Sequence, residues 1–425
     1  MGDTRLTPSA PRAQTVARLA KAQGFTLVGI APVRPSEHAE HLRQWVAAGK
    51  HGTMDYLAQH VEDMIDPTRV LPGAKAIICV AEAYADPSPP GRGWPSPRGR
   101  VRGSADERGV DQHDNPSACN EQTPFASDDP LTPTLSPGER EPDQPIGRIA
   151  RYAWGDDYHV VMKKHLHALA DELRALWPEH AFRSAVDTAP VLERQHAQHA
   201  GLGWAGKHTL LIHPTLGSWF MLGEILTTLP LQTAEESPAG GGAGGGGGIV
   251  ADHCGTCTRC IDACPTQCIT PYSIDASRCV SYLTIEHRGR IDPSLHEGMG
   301  DWLAGCDVCQ SVCPFNHPEQ RQAAPIRPPY HPRPPAPGIP VLDVLNWTPE
   351  SRQQAVLKSA LKRLKLEQFK RNALIAAGNH LRQHDDPPLR RRITELCDQP
   401  AESDLVRQTA RDVLARLARL AGLAR

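Results

Sequence analysis

The sequence predicts an α+β protein in three parts: a layered N-terminal domain, a cysteine-rich domain and an α-helical C-terminal module. Three observations lead to this prediction. Apolar strand patterns alternate with helical spacing up to residue 236, nine of the twelve cysteines lie between residues 254 and 313, and amphipathic helical patterns occur in residues 341–425. A chain of 425 residues with 40% hydrophobic content suits two or three such domains.

The N-terminal domain shows helix and strand patterns in turn. Residues 15–32 have the pattern of a helix that ends near Gly24 and continues into a short strand, and residues 73–85 that of a buried strand. Residues 157–176 have helical apolar spacing, and residues 181–194 run as strand, turn and helix start. These elements predict helices packed on a sheet.

Three segments break these patterns. Residues 87–146 are rich in proline, glycine, serine and charge without a sustained period, which predicts a disordered insertion. A glycine tract predicts a linker over residues 237–249, and a proline-rich stretch predicts another over residues 323–340. The predicted domains are therefore 1–236, 250–322 and 341–425.

Composition narrows the class of protein. No stretch has the apolar region of a signal peptide or the length of a membrane span, so we expect a cytoplasmic protein with no membrane partner. Twelve cysteines in a reducing compartment are expected to be metal or redox ligands and not a disulfide framework.

The net charge of −2 hides an uneven distribution. Residues 351–425 carry 16 Lys and Arg against 8 Asp and Glu, and the rest of the chain carries 30 against 40. A basic helical module on an acidic body indicates a polyanionic partner, with a solvated helix surface as the alternative.

The stretch AGLGWAGKHTLLI has glycines at 201, 203 and 206 in the spacing G-x-G-x-x-G. A dinucleotide site needs a strand before the glycines and a helix after them, but here a helical pattern precedes and an apolar, extended one follows. A P-loop would need a hydroxyl where His208 stands. A helix C-cap with a tight connection to a strand is therefore favoured over both nucleotide motifs.

The cysteines give the strongest signal. Cys254, Cys257, Cys260 and Cys264 are spaced C-x2-C-x2-C-x3-C before a proline, and a shorter C-x2-C-x3-C run, also followed by proline, begins at Cys306. This is the spacing of a bacterial two-cluster ferredoxin, and a zinc site would instead want separated pairs.

The second run lacks one cysteine, and Cys279 is the natural replacement. One predicted [4Fe-4S] cluster then takes Cys254, Cys257, Cys260 and Cys313, and the other takes Cys264, Cys279, Cys306 and Cys309. The four remaining cysteines are expected to be small hydrophobic or incidental residues: Cys79, Cys119, Cys268 and Cys397.

Two clusters alone would make an electron carrier, but some 250 residues precede them. Asp187, at a strand end among apolar neighbours, is the best candidate for a general acid, because such a carboxyl can hold its proton near neutral pH. The alternative is an aspartate that caps the following turn.

Eight segments together resemble the epoxyqueuosine reductase family: RYAWGDDYH (151–159), VDTAPVLER (186–194), GLGWAGKHTLLI (201–212), GSWFMLGEIL (217–226), CGTCTRCIDACPT (254–266), CVSYLTIEHRG (279–289), GCDVCQSVCPFN (305–316) and RNALIAAGN (371–379). The resemblance covers nearly the whole chain outside the insertion and the two linkers. It implies reduction of epoxyqueuosine to queuosine at the wobble position of tRNA, with cobalamin and two [4Fe-4S] clusters.

The resemblance also implies a nitroreductase-like cobalamin domain, a ferredoxin-like domain and a HEAT-like module that binds the anticodon stem-loop. Asp187 corresponds to the family's proton donor. The implied partners are the tRNA and an external low-potential electron donor, for a monomeric enzyme. The cobalamin contacts implied are Gln59, Ile149, Asp187, Thr209, Ile212, Gly223, Ser281, Cys306 and Asp307, and the RNA-facing residues are Tyr282, Thr284 and Glu286.

Two other functions are compatible with the cysteine spacing. A reductive dehalogenase-like corrinoid reductase would share the cofactors, but the respiratory dehalogenases carry a twin-arginine export signal and lack a basic C-terminal repeat. A non-catalytic ferredoxin-type carrier would need neither cobalamin nor Asp187. The position of Cys306 and Asp307 suggests that the cluster with Cys264 and Cys279 is the nearer one to the corrinoid.

Overall fold

The architecture is given by a computed structural model, which describes residues 9–85, 144–236, 248–317 and 324–423. Most of the predicted insertion, with Cys119, and nearly all of the glycine linker lie outside the described residues. The helices are α1 (Ser9–Ala22), α2 (Ala39–Ala47), α3 (Asp55–Gln59), α4 (Val61–Ile65), α5 (Pro67–Val70), α6 (Tyr158–Leu176), α7 (Glu193–His199), α8 (Arg259–Asp262), α9 (Val280–Ile285), α10 (His296–Met299), α11 (Val308–Ser311), α12 (Val341–Asn346), α13 (Pro349–Ala355), α14 (Leu366–His380), α15 (Pro387–Asp398) and α16 (Asp404–Leu423). The strands are β1 (Leu27–Pro32), β2 (Ala76–Ala83), β3 (Ile146–Ile149), β4 (Phe182–Ala185), β5 (Trp204–Ala205), β6 (Leu211–Ile212), β7 (Phe220–Thr227), β8 (Ile269–Thr270), β9 (Ser273–Ile274), β10 (Trp302–Ala304) and β11 (Gly338–Pro340).

A four-stranded sheet in the order β1-β2-β7-β4 forms the centre of the N-terminal domain, with every neighbouring pair antiparallel. All eight residues of β2 are buried, because α1 and α6 cover one face of the sheet and α7 packs on the other. The helices and strands predicted over residues 15–32, 73–85, 157–176 and 181–194 are confirmed.

A smaller sheet combines strands from three separate segments of the chain. Its strands, in the order β10-β3-β11, come from the cysteine-rich domain, from the end of the predicted insertion and from the predicted proline-rich linker. Ile146 begins β3, and Tyr330 is buried with its hydroxyl donating to Glu82 at 2.6 Å. The part of the linker from residue 324 to 340 is therefore built into the fold, which corrects the prediction, because its apolar residues reach buried positions.

The C-terminal helices pack on the cysteine-rich domain through α14, which is buried from Gln368 to Gly378. Arg371 donates from its Nη1 and Nη2 atoms to the carbonyls of Leu283, His287 and Gly289 at 2.7–2.8 Å. On the other side α14 packs closely on α16. A Cβ at Gly378 would lie 2.6 Å from Val413 Cγ1, so only glycine allows this approach.

None of the helices in the described ranges is both long enough and apolar enough to cross a bilayer.

Candidate functional site

The first predicted group of four cysteines lines one cavity. Cys254, Cys257, Cys260 and Cys313 surround about 370 Å³ of space that is partly open to solvent. The cavity wall is completed by Lys207, His208, Ile212, His253, Arg259, Pro314 and Phe315. Four thiols around one cavity are the ligand set of a cubane cluster, so these residues fit the predicted [4Fe-4S] group.

The glycine motif builds a wall of this cavity. Helix α7 ends at His199, Gly201 has φ of 75°, and the chain enters β5 at Trp204. A Cβ at Gly203 would lie 2.2 Å from the Ile212 carbonyl oxygen. The helix C-cap interpretation is confirmed, because the motif connects a helix to a strand and lacks the strand-to-helix order of a nucleotide loop.

Lys207 holds the first cysteine loop in place. Its Nζ donates to the carbonyl oxygens of Gly255 at 2.5 Å and Cys257 at 3.1 Å. The lysine that completes a P-loop pattern in the sequence therefore binds backbone carbonyls of this chain. Burial lowers the pKa of the next residue, His208, to about 4, so its imidazole is neutral.

The second predicted group is also assembled. Cys264 lies in one apolar cluster with Cys279 and Cys309, and burial together with the charges of Cys306 and Cys279 raises the pKa of Cys309 well above its ordinary value. These four cysteines fit a second [4Fe-4S] group. A fifth cysteine, Cys268, belongs to the same apolar cluster, and its Sγ lies 3.4 Å from Cys264 Sγ. The expectation that Cys268 is incidental misses this contact.

Asp187 lies in a turn after β4 that is held from two sides. Its Oδ2 accepts hydrogen bonds from Tyr158 Oη at 2.9 Å and His159 Nε2 at 2.8 Å. Its backbone N–H donates to Glu193 Oε1 at 2.6 Å. The φ of Asp187 is 43°, a conformation that costs a residue with a Cβ free energy and persists only where its surroundings hold it.

His159 bridges two carboxylates. Its Nδ1 lies 2.7 Å from Asp157 Oδ1, and its Nε2 lies 2.8 Å from Asp187 Oδ2. A carboxylate can only accept, so both ring nitrogens donate, and only the imidazolium has two N–H groups. Burial acts to lower the pKa of His159, but the hydrogen bonds to the two carboxylates raise it to about 9.

These contacts correct the basis on which Asp187 was expected to hold a proton. Its side chain is 43% exposed and its partners are polar. Burial acts to raise the pKa of Asp187, but His159, Tyr158 and Arg363 hold it below its ordinary value. The carboxyl is ionised, and the proton next to it belongs to His159.

The C-terminal module contributes two cations to this pocket. Arg363 Nη1 lies 3.8 Å from Asp187 Oδ2, and its Nη2 lies 3.3 Å from Glu286 Oε1. Lys362 Nζ lies 2.6 Å from Asp157 Oδ2. Both cations lie on a 3-10 turn, Ala360–Arg363, so the basic part of the chain reaches the pocket directly.

Tyr152 connects this pocket to the second cysteine group. Its ring meets the ring of Tyr158 edge to face with centroids 5.8 Å apart. Tyr152 and Cys306 both pack against one apolar cluster of Ala150, Val280 and Trp302. Tyr152 therefore links the residues around Asp187 to the apolar cluster on which Cys306 packs, and which cysteine group lies nearer the corrinoid stays a prediction.

The predicted cobalamin contacts lie in several different surroundings. The Thr209 carbonyl accepts from Arg194 Nη1 at 2.7 Å, and Arg194 interacts electrostatically with Asp187 and Glu193. Asp307 Oδ2 accepts from the backbone N–H of Arg151 at 2.8 Å, and burial raises the pKa of Asp307 to about 6. Ser281 lies in α9, two residues after Cys279.

Other predicted contacts have different surroundings. Ile149 is buried in a core shared with the C-terminal helices, and Ile212 lines the first cysteine cavity. A Cβ at Gly223 would lie 2.8 Å from Leu166 Cδ1, so this glycine serves the packing of β7 on α6. Gln59 is exposed as the last residue of α3. The contact of these four residues with cobalamin stays a prediction.

Two of the three predicted RNA-facing residues are buried. Tyr282 Oη accepts from the Thr53 backbone N–H at 2.7 Å, and Thr284 Oγ1 accepts from the Gly305 N–H at 3.0 Å. Tyr282 and Thr284 therefore hold α9 against its neighbours, as an apolar helix packed between two domains requires. Glu286 is the member that faces the pocket, through Arg363.

Sequence reasoning misses several pocket residues: Tyr158, His159, Glu193, Lys362 and Arg363. The available signal for the first two is the Asp-Tyr-His run at the start of a predicted helix, where Asp157 caps α6. Glu193 carries no such signal, and its role depends on burial, which with the neighbouring Glu224 raises its pKa well above the ordinary value.

Comparison with known proteins explains this combination of sites. A family model described as "4Fe-4S double cluster binding domain" matches residues 253–316, and one described as "Epoxyqueuosine reductase QueG, DUF1730" matches residues 131–188. The epoxyqueuosine reductase of Xanthomonas campestris is 38% identical over 320 residues, which are 75% of this chain and 73% of that relative. The chain belongs to the epoxyqueuosine reductase family.

Further similarities extend over more of the chain. The epoxyqueuosine reductase of Pseudomonas aeruginosa is 33% identical over 378 residues, 88% of each protein. A crystal structure of epoxyqueuosine reductase with an epoxyqueuosine-modified tRNA stem loop has a TM-score of 0.71 at 23% identity and covers 96% of this chain and 90% of that one. The epoxyqueuosine reductases are oxidoreductases, and this member has their fold together with the double iron-sulfur cluster domain.

Proposed function

We propose that this chain reduces epoxyqueuosine to queuosine at the wobble position of tRNA, with electrons passing from two [4Fe-4S] clusters to cobalamin. One observation carries the proposal. The Asp187–His159 pair contacts Arg363 of the basic module, and its neighbour Tyr158 packs on Tyr152, which shares an apolar cluster with Cys306 of the second cysteine group. A proton store, an electron source and a polyanion-binding surface therefore meet in one pocket.

The reaction removes the epoxide oxygen as water and leaves a carbon–carbon double bond, so it takes two electrons and two protons. His159 holds a proton at neutral pH because Asp157 and Asp187 both stabilise the imidazolium. Asp187 faces the pocket and passes this proton to the oxygen of the opening epoxide, and a second proton, taken up from solvent through the same pair, lets that oxygen leave as water. The pair acts as one acid, since removing either carboxylate contact lowers the affinity of the imidazole for its proton.

The described side chains around Asp187 carry protons and charge but no redox group. Cobalamin in its reduced form supplies the electron pair when bound. The residues fit this cofactor in part: Asp187, Thr209, Ser281, Cys306 and Asp307 are the ones that would hold it. The N-terminal sheet and helices would then be the nitroreductase-like cobalamin domain.

The C-terminal module is proposed to bind the anticodon stem-loop as a HEAT-like unit. Lys358 and Lys365 are exposed on either side of the turn that carries Lys362 and Arg363. Four cations beside the pocket would contact the phosphates of the loop while the modified base enters next to Asp187. A relative of the same fold is known with an epoxyqueuosine-modified tRNA stem loop, which supports this choice of substrate.

The experiment is an anaerobic turnover assay with reconstituted protein, a low-potential reductant and epoxyqueuosine-containing tRNA, with and without cobalamin. Nucleoside mass spectrometry should show cobalamin-dependent loss of one oxygen. Asp187→Asn should keep iron and cobalamin but lose about 10²–10⁴-fold in rate. Asp156→Asn is the matched control, because Asp156 pairs with Arg333 at 3.2 Å and not with His159.

Three results would decide against parts of the proposal. Unchanged turnover in Asp187→Asn would show that Asp187 is not the proton donor. Bound cobalamin without conversion would indicate a corrinoid reductase with another substrate, and no cobalamin binding would favour an electron carrier. For the RNA surface, Lys358→Gln with Lys365→Gln should weaken tRNA binding and flatten its salt dependence by about one unit of slope per lysine, whereas Lys75→Gln, at the opposite end of the sheet, should not.

A further inference from the structure

Among the residues that the structure describes, two buried N–H groups next to the first cysteine cavity have no oxygen or nitrogen acceptor, and the Trp204 indole interacts with the thiol of Cys254. They are Nε2 of His208, which is 3% exposed, and Nε1 of Trp204, which is 1% exposed. His208 lines the cavity with Cys254, Cys257, Cys260 and Cys313. The Trp204 ring packs in one cluster with Cys254 and Cys313.

The hydrogen-bonding state of His208 follows from its neighbour. The backbone N–H of Leu210 donates to His208 Nδ1 at 3.2 Å, so Nδ1 accepts and carries no proton. The proton of the imidazole is therefore on Nε2, and this nitrogen is a donor. The indole Nε1 of Trp204 can only donate.

Gly206 makes room for this arrangement. A Cβ at Gly206 would lie 3.0 Å from His208 Cε1 and 2.5 Å from Ile212 Cδ1. The third glycine of the motif therefore allows the imidazole and the isoleucine to close on the cavity wall. The motif that suggests a phosphate loop in the sequence instead shapes the surroundings of the cysteines.

A buried donor without an acceptor is costly, so a group that accepts two hydrogen bonds is expected in this cavity. Cysteine thiolates and the inorganic sulfides of an iron-sulfur cluster are such acceptors. We propose that His208 Nε2 and Trp204 Nε1 donate N–H···S hydrogen bonds to the cluster held by Cys254, Cys257, Cys260 and Cys313 and thereby raise its reduction potential. This rests on the assignment of a [4Fe-4S] cluster to the site and not on the substrate.

The direction of the effect follows from charge. Reduction adds one negative charge to the cluster, and a hydrogen bond to its sulfur stabilises the more negative state. His208 and Trp204 are positioning residues for the cluster and do not touch the substrate. Without them the first cluster would be harder to reduce by an external donor.

The test is an anaerobic redox titration of the reconstituted full chain, followed by EPR, with the second cluster as internal reference. Trp204→Phe keeps an aromatic ring and removes only the N–H. We expect the ratio of reduced to oxidised first cluster at the original midpoint to fall about tenfold for each lost hydrogen bond, which is about 59 mV for a one-electron couple. His208→Leu should lower the midpoint as well, and His208→Gln, which keeps an N–H donor, should lower it less. Trp347→Phe, the same kind of substitution in the core of the C-terminal helices, should leave the midpoint unchanged.

The proposal is overturned if iron content is complete and the midpoint does not move in Trp204→Phe and His208→Leu, or if both clusters shift equally. A measurement on the unaltered protein covers the case in which a variant fails to bind the cluster. With ¹⁵N-labelled histidine, pulsed EPR of the reduced first cluster should detect a coupling to one imidazole nitrogen, and absence of that coupling overturns the role of His208. Neither readout depends on turnover, so failure here is distinct from failure with tRNA.

Discussion

The two cysteine groups have the same number of ligands but very different surroundings. The loop of the first group, residues 251–259, is mostly exposed, and its cavity wall carries Lys207, His208 and Arg259. The loop of the second group, residues 302–310, has no exposed residue and meets Tyr152 of the Asp187 pocket. The two cysteine groups thus share a binding motif and differ in what packs on each of them. We therefore expect the first group to accept electrons from outside and the second to deliver them.

The largest expected effect tests which four of the five thiols in the second group bind the cluster. Cys279→Ala should remove one cluster, so that half of the iron is lost, together with turnover. Cys268→Ala should keep all of the iron, because Cys268 is the neighbour of Cys264 and not a predicted ligand. Iron analysis and EPR measure both. Loss of half of the iron in Cys268→Ala, with full iron in Cys279→Ala, would exchange the two roles.

The next largest effect concerns the proton that His159 holds next to Asp187. The pKa of His159 is raised to about 9, so the imidazolium should be lost as pH rises through 9, and the rate of single turnover should fall about tenfold per pH unit above it. His159→Gln should lower the rate and abolish this alkaline limb, while the potential of the first cluster stays independent of pH. An alkaline limb that persists in His159→Gln would show that another group supplies the proton.

The titration of His159 also predicts how the stability of the fold changes with pH. A raised folded-state pKa means that the contribution of His159 is fully present below its ordinary value of 6.5 and is lost as pH rises to 9 and beyond. Thermal unfolding of the unaltered protein should therefore lose stability between these values relative to His159→Gln.

Much of this comparison is visible in the sequence, and the rest depends on contacts between distant segments. The spacing of Cys254, Cys257 and Cys260 and the C-P endings point to cluster sites because three ligands of the first group come from one local turn, whereas its fourth ligand, Cys313, comes from a distant segment. The helix-to-strand reading of the glycine motif succeeds for the same local reason. Arg363 could not be assigned, since its role arises only when residues far apart in the chain meet around Asp187. Glu193 is only six residues from Asp187, but its role depends on its burial.

The errors have a physical pattern as well. Asp187 was expected to keep its proton through apolar burial, but a turn after a strand exposes the side chain, and polar partners decide its pKa. The linker expected over residues 323–340 is proline-rich, yet β11 needs only three residues to pair with β3. Composition describes the average of a segment, whereas one strand pairing is enough to fix it.

A smaller effect should separate the residues that brace each group. Arg371 is fully buried and donates to three carbonyls at the end of α9, the helix that begins after Cys279. Arg371→Met leaves these carbonyls without donors and should lower the free energy of unfolding by about 3 kcal/mol. Lys207→Met loses two bonds to a solvent-exposed loop and should cost about 1 kcal/mol. Thermal unfolding measures both, and an equal loss in the two variants would contradict the difference in bracing.

The smallest expected effect is kinetic and concerns solvent access. A chelator reaches the first cluster through an exposed loop and a cavity open to solvent, while residues 302–310 and Tyr152 cover the second. Iron release from the unaltered protein should therefore have two phases of equal amplitude that differ several-fold in rate. Cys279→Ala, which keeps only the first group, should show the fast phase alone, and Cys313→Ala the slow one. A single phase, or a slow phase in Cys279→Ala, would mean that exposure of the loop does not decide access to the cluster, and the proposed route of electrons from the first group to the second would lose its structural basis.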